Sequence, residues 1–287
     1  MNLFFPVRAE PVEAPVPCAE TLRRAQGERI KPHRIADLRP PLPCANHTPL
    51  SRQAPRTRAA PDAAFPLSYQ VIHMTLPGIP MNLIHLVSHG PVIPVIVLHR
   101  LEDAVPMAQA LVEGGVRVLE ITLRTPVALK CMAAISAAVP QAIVGAGTVR
   151  NVTDAKAAFD AGCRFAVSPG YTQAIGRACR DLGLPLLPGV ATASEVMTAN
   201  ADGLNFLKFF PATAAGGIPL LKALHGPFPD VVFCPTGGIT LQTAPQFLAL
   251  PNVKVCGGSW LTPTEAVEAG DWKRITELAR EASLLFG

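Results

Sequence analysis

The chain has 287 residues, 49% of them apolar and 16% charged, with a formal net charge of +4. That length holds one large domain or two small ones, with ample apolar material for a core. No apolar run approaches the length of a membrane span, and Met1-Asn2-Leu3-Phe4-Phe5-Pro6 lacks the basic start and apolar stretch of a secretory signal.

Residues 1–80 carry ten of the 25 Lys+Arg and six of the 21 Asp+Glu, so the whole positive excess sits there. The basicity is therefore no argument for nucleic-acid binding by the rest of the chain. The same segment holds fourteen of the 30 prolines and no sustained helical or strand period, which predicts an irregular or disordered extension. Within it, Pro6–Ala14 is self-similar, and with Leu22–Arg29 it resembles a translated dispersed bacterial repeat. We expect the native start at Met74 or Met81; a regulatory or targeting arm is the alternative. The seven cysteines, Cys18, Cys44, Cys131, Cys163, Cys179, Cys234 and Cys256, are scattered and form no C-x-x-C. They suit reduced thiols of a cytoplasmic protein. His85 and His89 have helical spacing but no carboxylate partner in sequence, and read as structural or solvent-exposed.

From about residue 90, short apolar runs alternate with helical patterns of about a dozen residues. The runs are Val92–Leu98, Val116–Thr122, Ala142–Ala146, Arg164–Ser168, Leu184–Pro188, Phe206–Phe210, Val231–Cys234 and Val253–Cys256. Helical segments between them include Ala104–Glu113 and Thr192–Asn200, and one last helix is expected from Pro263 to Leu284. Strands alternating with helices imply parallel pairing. Eight such units predict a (β/α)8 TIM barrel over residues 81–287, preceded by the Pro-rich extension. An open doubly wound sheet is the alternative, but no G-x-G-x-x-G follows the first strand.

In such barrels the chemistry lies at the C-terminal ends of the strands. Glu120 lies in the alternating run Leu119-Glu120-Ile121-Thr122, as a general base or as half of a structural ion pair. Arg124 offers a planar fork for a carboxylate or phosphate, or is a surface arginine. Small residues in Gly145-Ala146-Gly147-Thr148 let a ligand approach the backbone, and Thr148 can donate to it. Ser168-Pro169-Gly170 and Pro188-Gly189 repeat this at the next two strand ends, though each is also ordinary turn chemistry. Lys208 stands inside the apolar run Phe206-Leu207-Lys208-Phe209-Phe210. Burial favours a neutral lysine amine, a nucleophile toward ketones. The competing reading is a lysine that snorkels or pairs with a carboxylate. Gly237-Gly238 and Gly257-Gly258-Ser259 follow the last two runs, where TIM barrels commonly bind phosphate.

These motifs resemble the class I 2-keto-3-deoxy-6-phosphogluconate (KDPG) and 4-hydroxy-2-oxoglutarate (KHG) aldolase family over about residues 83–285. The likeness rests on I-P-V-I-V at Ile93–Val97, G-G-V-R-V-L-E-I-T-L-R-T at Gly114–Thr125 and V-G-A-G-T-V at Val144–Val149. It continues through S-P-G at Ser168–Gly170, K-F-F-P-A at Lys208–Ala212, F-C-P-T-G-G-I at Phe233–Ile239 and G-G-S-W-L at Gly257–Leu261. The resemblance implies Lys208 as the Schiff-base lysine and Glu120 as the general acid/base. It implies Arg124 and Thr148 at the pyruvyl carboxylate, Pro169 and Phe210 lining the pocket, and Gly237, Gly238 and Ser259 at a distal phosphate. It also implies a homotrimer that needs no metal or cofactor and acts on a phosphorylated 2-keto acid, with no nucleic-acid or membrane partner. An aldolase for the galactonate-derived 6-phosphate epimer is the neighbouring alternative.

Overall fold

A computed structural model describes residues 83–285. The extension read over residues 1–80, with the starts at Met74 and Met81, lies outside the described residues, as do Cys18 and Cys44. A 3-10 helix, Leu83–His89, carries His85 and His89 and leads into β1 (Val92–Ile96), α1 (Ala104–Glu113), β2 (Val118–Thr122) and α2 (Ala128–Ala138). Next come β3 (Ile143–Gly147), α3 (Val152–Asp160), β4 (Phe165–Val167), α4 (Gln173–Asp181), β5 (Leu186–Leu187), β6 (Gly189–Val190) and α5 (Ala193–Ala201). The chain continues through β7 (Phe206–Phe209), α6 (Gly217–His225), β8 (Val232–Pro235), α7 (Ala244–Leu248), β9 (Cys256–Gly258), α8 (Thr264–Ala269) and α9 (Trp272–Ser283).

The strands pair in parallel in the orders β5-β4-β3-β2-β1-β9 and β6-β7-β8. Parallel bridges Phe233↔Val253 and Thr236↔Gly257 tie β8 to the β9 stretch. β5 and β6 are one extended run interrupted at Pro188, which has no N–H to give a ladder. The Pro188 carbonyl still accepts from the Lys208 N–H at 2.8 Å. The result is a curled, barrel-like parallel sheet with alternating helices.

The two-residue period of each strand sorts its side chains into separate cores. On β2, Val118 packs with Ile93, Phe165, Phe206 and Val255, whereas Leu119 and Ile121 pack with helix residues such as Met107 and Met132. On β7, Phe206 joins that same inner cluster while Leu207 and Phe209 face Leu221 and Leu224 of α6. Leu86 of the 3-10 helix belongs to the inner cluster. Each fully buried aliphatic or aromatic side chain contributes about 1.5–3 kcal/mol. The edge-on contact of Phe209 with Phe233, centroids 6.3 Å apart, adds directional packing to the outer layer.

Two expectations need correction. The last helix is not continuous from Pro263 to Leu284. Gly270 takes φ 66°, ending α8, and Asp271 caps α9 by accepting from the Arg274 N–H at 3.0 Å. A left-handed glycine followed by a capping aspartate is a stop and a start signal. The fifth run also does not end at Pro188, since ladder pairing resumes at Gly189 and Val190.

Candidate active site

Lys208 and Glu120 are a buried cation and anion, 4% and 3% exposed, on β7 and β2. Both occupy inward positions, Lys208 two residues after inward Phe206 and Glu120 two after inward Val118. The Lys208 ammonium donates to Glu120 Oε1 at 3.1 Å and to Oε2 at 3.4 Å. The two readings left open for each residue therefore meet in one contact. Such a pair is weak evidence of stabilisation, because desolvating each ion costs several kcal/mol, roughly what their attraction returns. Its placement points to chemistry instead.

Glycines around the pair let neighbouring groups pack closely beside it. Register sets Glu120 beside Gly145, and Lys208 between Gly189 and Cys234. A Cβ on Gly145 would enter the Phe165 ring, and one on Gly147 would enter the Glu120 carboxylate. On Gly189 it would strike the Pro169 carbonyl, and on Gly257 the Thr236 side chain. A cavity of about 150 Å3 lies at the strand ends, with Lys208 and Gly257 in its lining.

Arg124, Lys208, Phe210, Gly237, Gly238 and Ser259 all line that cavity. The Phe210 ring centroid lies 5.4 Å from the Lys208 Nζ, within reach of a cation–π attraction. Gly237 and Gly238 have φ 103° and 75°, a conformation that side chains resist. Thr213 donates to the Gly237 carbonyl through its hydroxyl at 2.9 Å and fixes that turn. Glu120 reaches the cavity through Lys208. Thr148 reaches it through Arg124, whose Nε donates to the Thr148 hydroxyl at 3.2 Å. Thr148 holds φ 62°, unusual for a β-branched residue and of a kind that clusters at functional sites. Pro169 does not line the cavity; its carbonyl abuts Gly189, beside Lys208.

Four lining residues carry no site role in the sequence reading: Thr236, Val95, Val97 and Ile239. Thr236 is buried two positions beyond inward Cys234, and the strand period alone would have found it. Burial pushes the Cys234 thiol up to about 12, with Lys208 opposing and Glu120 adding to that rise, so it stays a neutral thiol at physiological pH. Among the described residues no group of three or more His, Cys, Asp or Glu is arranged to hold a metal. No described helix is long and apolar enough to cross a membrane.

A buried amine, an adjacent carboxylate, a guanidinium and a glycine-rich turn come together at one small cavity, a set that suits keto-acid chemistry through a lysine imine. Comparison with known proteins agrees. The family described as KDPG and KHG aldolase matches residues 83–278. The KHG/KDPG aldolase of Escherichia coli (strain K12) is 53% identical over 197 residues, 69% of this chain and 92% of the relative. The 2-dehydro-3-deoxy-phosphogluconate aldolase of Pseudoalteromonas atlantica is 52% identical over 195 residues, 68% of this chain and 91% of the relative. A crystal structure of KDPG aldolase from Legionella pneumophila, with pyruvate captured as a covalent carbinolamine intermediate, superposes with a TM-score of 0.68. It is 49% identical and covers 69% of this chain and 96% of its own. The chain belongs to the KDPG and KHG aldolase family.

Proposed function

We propose that the protein is a class I aldolase that cleaves 2-keto-3-deoxy-6-phosphogluconate to pyruvate and glyceraldehyde 3-phosphate, and 4-hydroxy-2-oxoglutarate to pyruvate and glyoxylate. The observation that carries this reading is the buried contact between Lys208 and Glu120 at the cavity. Glu120 accepts a proton from Lys208, freeing the amine to attack the substrate's keto carbon. Glu120 returns that proton to the hydroxyl of the resulting carbinolamine, which leaves as water and gives an iminium, with Glu120 again a carboxylate. Glu120 then takes the proton from the hydroxyl on the carbon beyond the bond to be cut. The bond's electrons flow into the iminium, the aldehyde leaves, and an enamine of pyruvate remains. Protonation and hydrolysis release pyruvate and restore Lys208. The iminium itself is the electron sink, so this sequence assigns no metal or cofactor. Positioned acid/base help of this kind is worth about 10²–10⁴-fold in rate.

Arg124 and Thr148 hold the carboxylate of the keto acid, and Phe210 shapes a wall, with the Pro169 carbonyl behind the site against Gly189. The Gly237-Gly238 turn and Ser259 take the distal phosphate. The curled sheet is read as a closed (β/α)8 barrel, with β5 and β6 counted as one strand. The assembly is assigned to a homotrimer in the cytoplasm. The test of substrate is a pyruvate-release assay on the purified protein, with the gluconate-derived phosphate, its galactonate-derived epimer and 4-hydroxy-2-oxoglutarate side by side. The gluconate-derived compound is expected to have the highest kcat/KM of the two epimers; the reverse order would assign the chain to the epimer.

A further inference from the structure

The catalytic cavity shares Val95, Val97 and Ser259 with a second chamber of about 340 Å3 between the β1–α1 connection and α8. Sites that bury small molecules run to about 300–1,000 Å3. On the aldolase reading the catalytic cavity, at about 150 Å3, holds the substrate from Lys208 as far as its distal phosphate at Ser259. The second chamber is large enough for what extends past Ser259.

Its lining names the chemistry of an occupant. The Arg100 guanidinium is taken up by Asp103, donating to both carboxylate oxygens at 2.8 Å. Glu268 also lines the chamber and makes no ion pair within 4.0 Å among the described residues. One cation against two carboxylates disfavours a further anion. What remains is a set of groups that both donate and accept: the hydroxyls of Ser259, Thr262 and Thr264 and the imidazole of His99. That set suits a neutral chain of hydroxyls.

We propose that this chamber is an acceptor subsite for the polyhydroxylated, uncharged chain of an aldehyde longer than three carbons. The proposal rests on the aldolase reading above, run in the bond-forming direction. The enamine of pyruvate on Lys208 attacks the aldehyde carbon, the new carbon–carbon bond forms, and the aldehyde oxygen takes up a proton. Water then hydrolyses the iminium and releases an extended 2-keto-3-deoxy acid. The aldehyde's hydroxyl chain lies past Ser259 among Thr262, Thr264 and His99.

The experiment uses the full chain with pyruvate and, separately, D-erythrose, D-erythrose 4-phosphate and D-glyceraldehyde 3-phosphate, following pyruvate consumption. Thr264→Phe fills the chamber, and Glu268→Lys reverses its charge. Thr264→Phe is expected to lower the erythrose-to-glyceraldehyde-3-phosphate ratio of kcat/KM by about tenfold, the scale of one or two lost hydrogen bonds. Glu268→Lys is expected to raise the preference for erythrose 4-phosphate over erythrose. If wild type uses glyceraldehyde 3-phosphate but does not add erythrose, or if both ratios stay put, the subsite does not exist. Borohydride trapping of pyruvate separates the two levels: no trapped adduct overturns the aldolase reading and the subsite with it, whereas an adduct with unmoved ratios overturns the subsite alone.

Discussion

Gly147 lies so close to the Glu120 carboxylate that a single methyl group there would occupy the carboxylate's place. Gly147 and Glu120 come from adjacent parallel strands, with Gly147 paired to Thr122, two residues beyond Glu120. The bare backbone is what lets the carboxylate stand beside Lys208. Gly147→Ala should therefore act on Glu120 without touching the lysine. The expected result is a kcat lowered by about 10²-fold, the low end of acid/base help, with pyruvate still trapped on Lys208 by borohydride. A variant with normal kcat would mean that Glu120 works from another position.

The buried Lys208–Glu120 pair should add little to net stability. Lys208→Ala leaves a buried carboxylate without its partner, and breaking a buried pair costs about 3–5 kcal/mol. The double variant Lys208→Met/Glu120→Leu removes both charges and should be about as stable as wild type, or more so, while inactive. Urea unfolding of all three proteins checks this. A double variant markedly less stable than either single one would show that the pair holds the sheet together.

Alkaline pH should weaken the fold through buried thiols. Burial raises Cys163 and Cys234 to about 12 and Cys179 to about 11, from an unfolded value of 9.0. Their stabilising contribution is complete below pH 9 and declines as pH climbs toward 11–12, because only the unfolded chain releases these protons. Each thiol gives a slope of up to about 1.4 kcal/mol per pH unit. Urea midpoints should change little between pH 7.5 and 9 and fall by pH 10.5, and Cys163→Ala should flatten the decline. A midpoint constant to pH 10.5 would refute the linkage.

Ser259 stands at the rim of the catalytic cavity beside the Gly237-Gly238 turn. Ser259→Ala should raise KM for the phosphorylated substrate by about tenfold, the scale of one hydrogen bond to a charged group. KM for 4-hydroxy-2-oxoglutarate, which carries no phosphate, should change less. Equal rises for the two would move the phosphate elsewhere.

The charged site residues were legible because charge inside an apolar, alternating run is costly and therefore conspicuous. Lys208 and Glu120 each stood out alone, yet their sequence separation of 88 hid that they face each other. The glycines were harder. Gly145, Gly147, Gly189 and Gly257 read as turn or spacing residues until register shows which side chain each would displace. Thr236 was passed over inside a recognised motif, because a small buried hydroxyl carries no anomaly of its own. The break at Gly270-Asp271 was written in the sequence as a left-handed stop before a capping aspartate, but the helical period on either side masked it.

The most direct test of the covalent mechanism is to incubate the protein with pyruvate and borohydride and map the modified peptide by mass. The account predicts a reduced pyruvyl adduct on Lys208 and none in Lys208→Ala. A folded protein that forms no adduct, or forms it on another lysine, would contradict the assignment of Lys208 as the nucleophile.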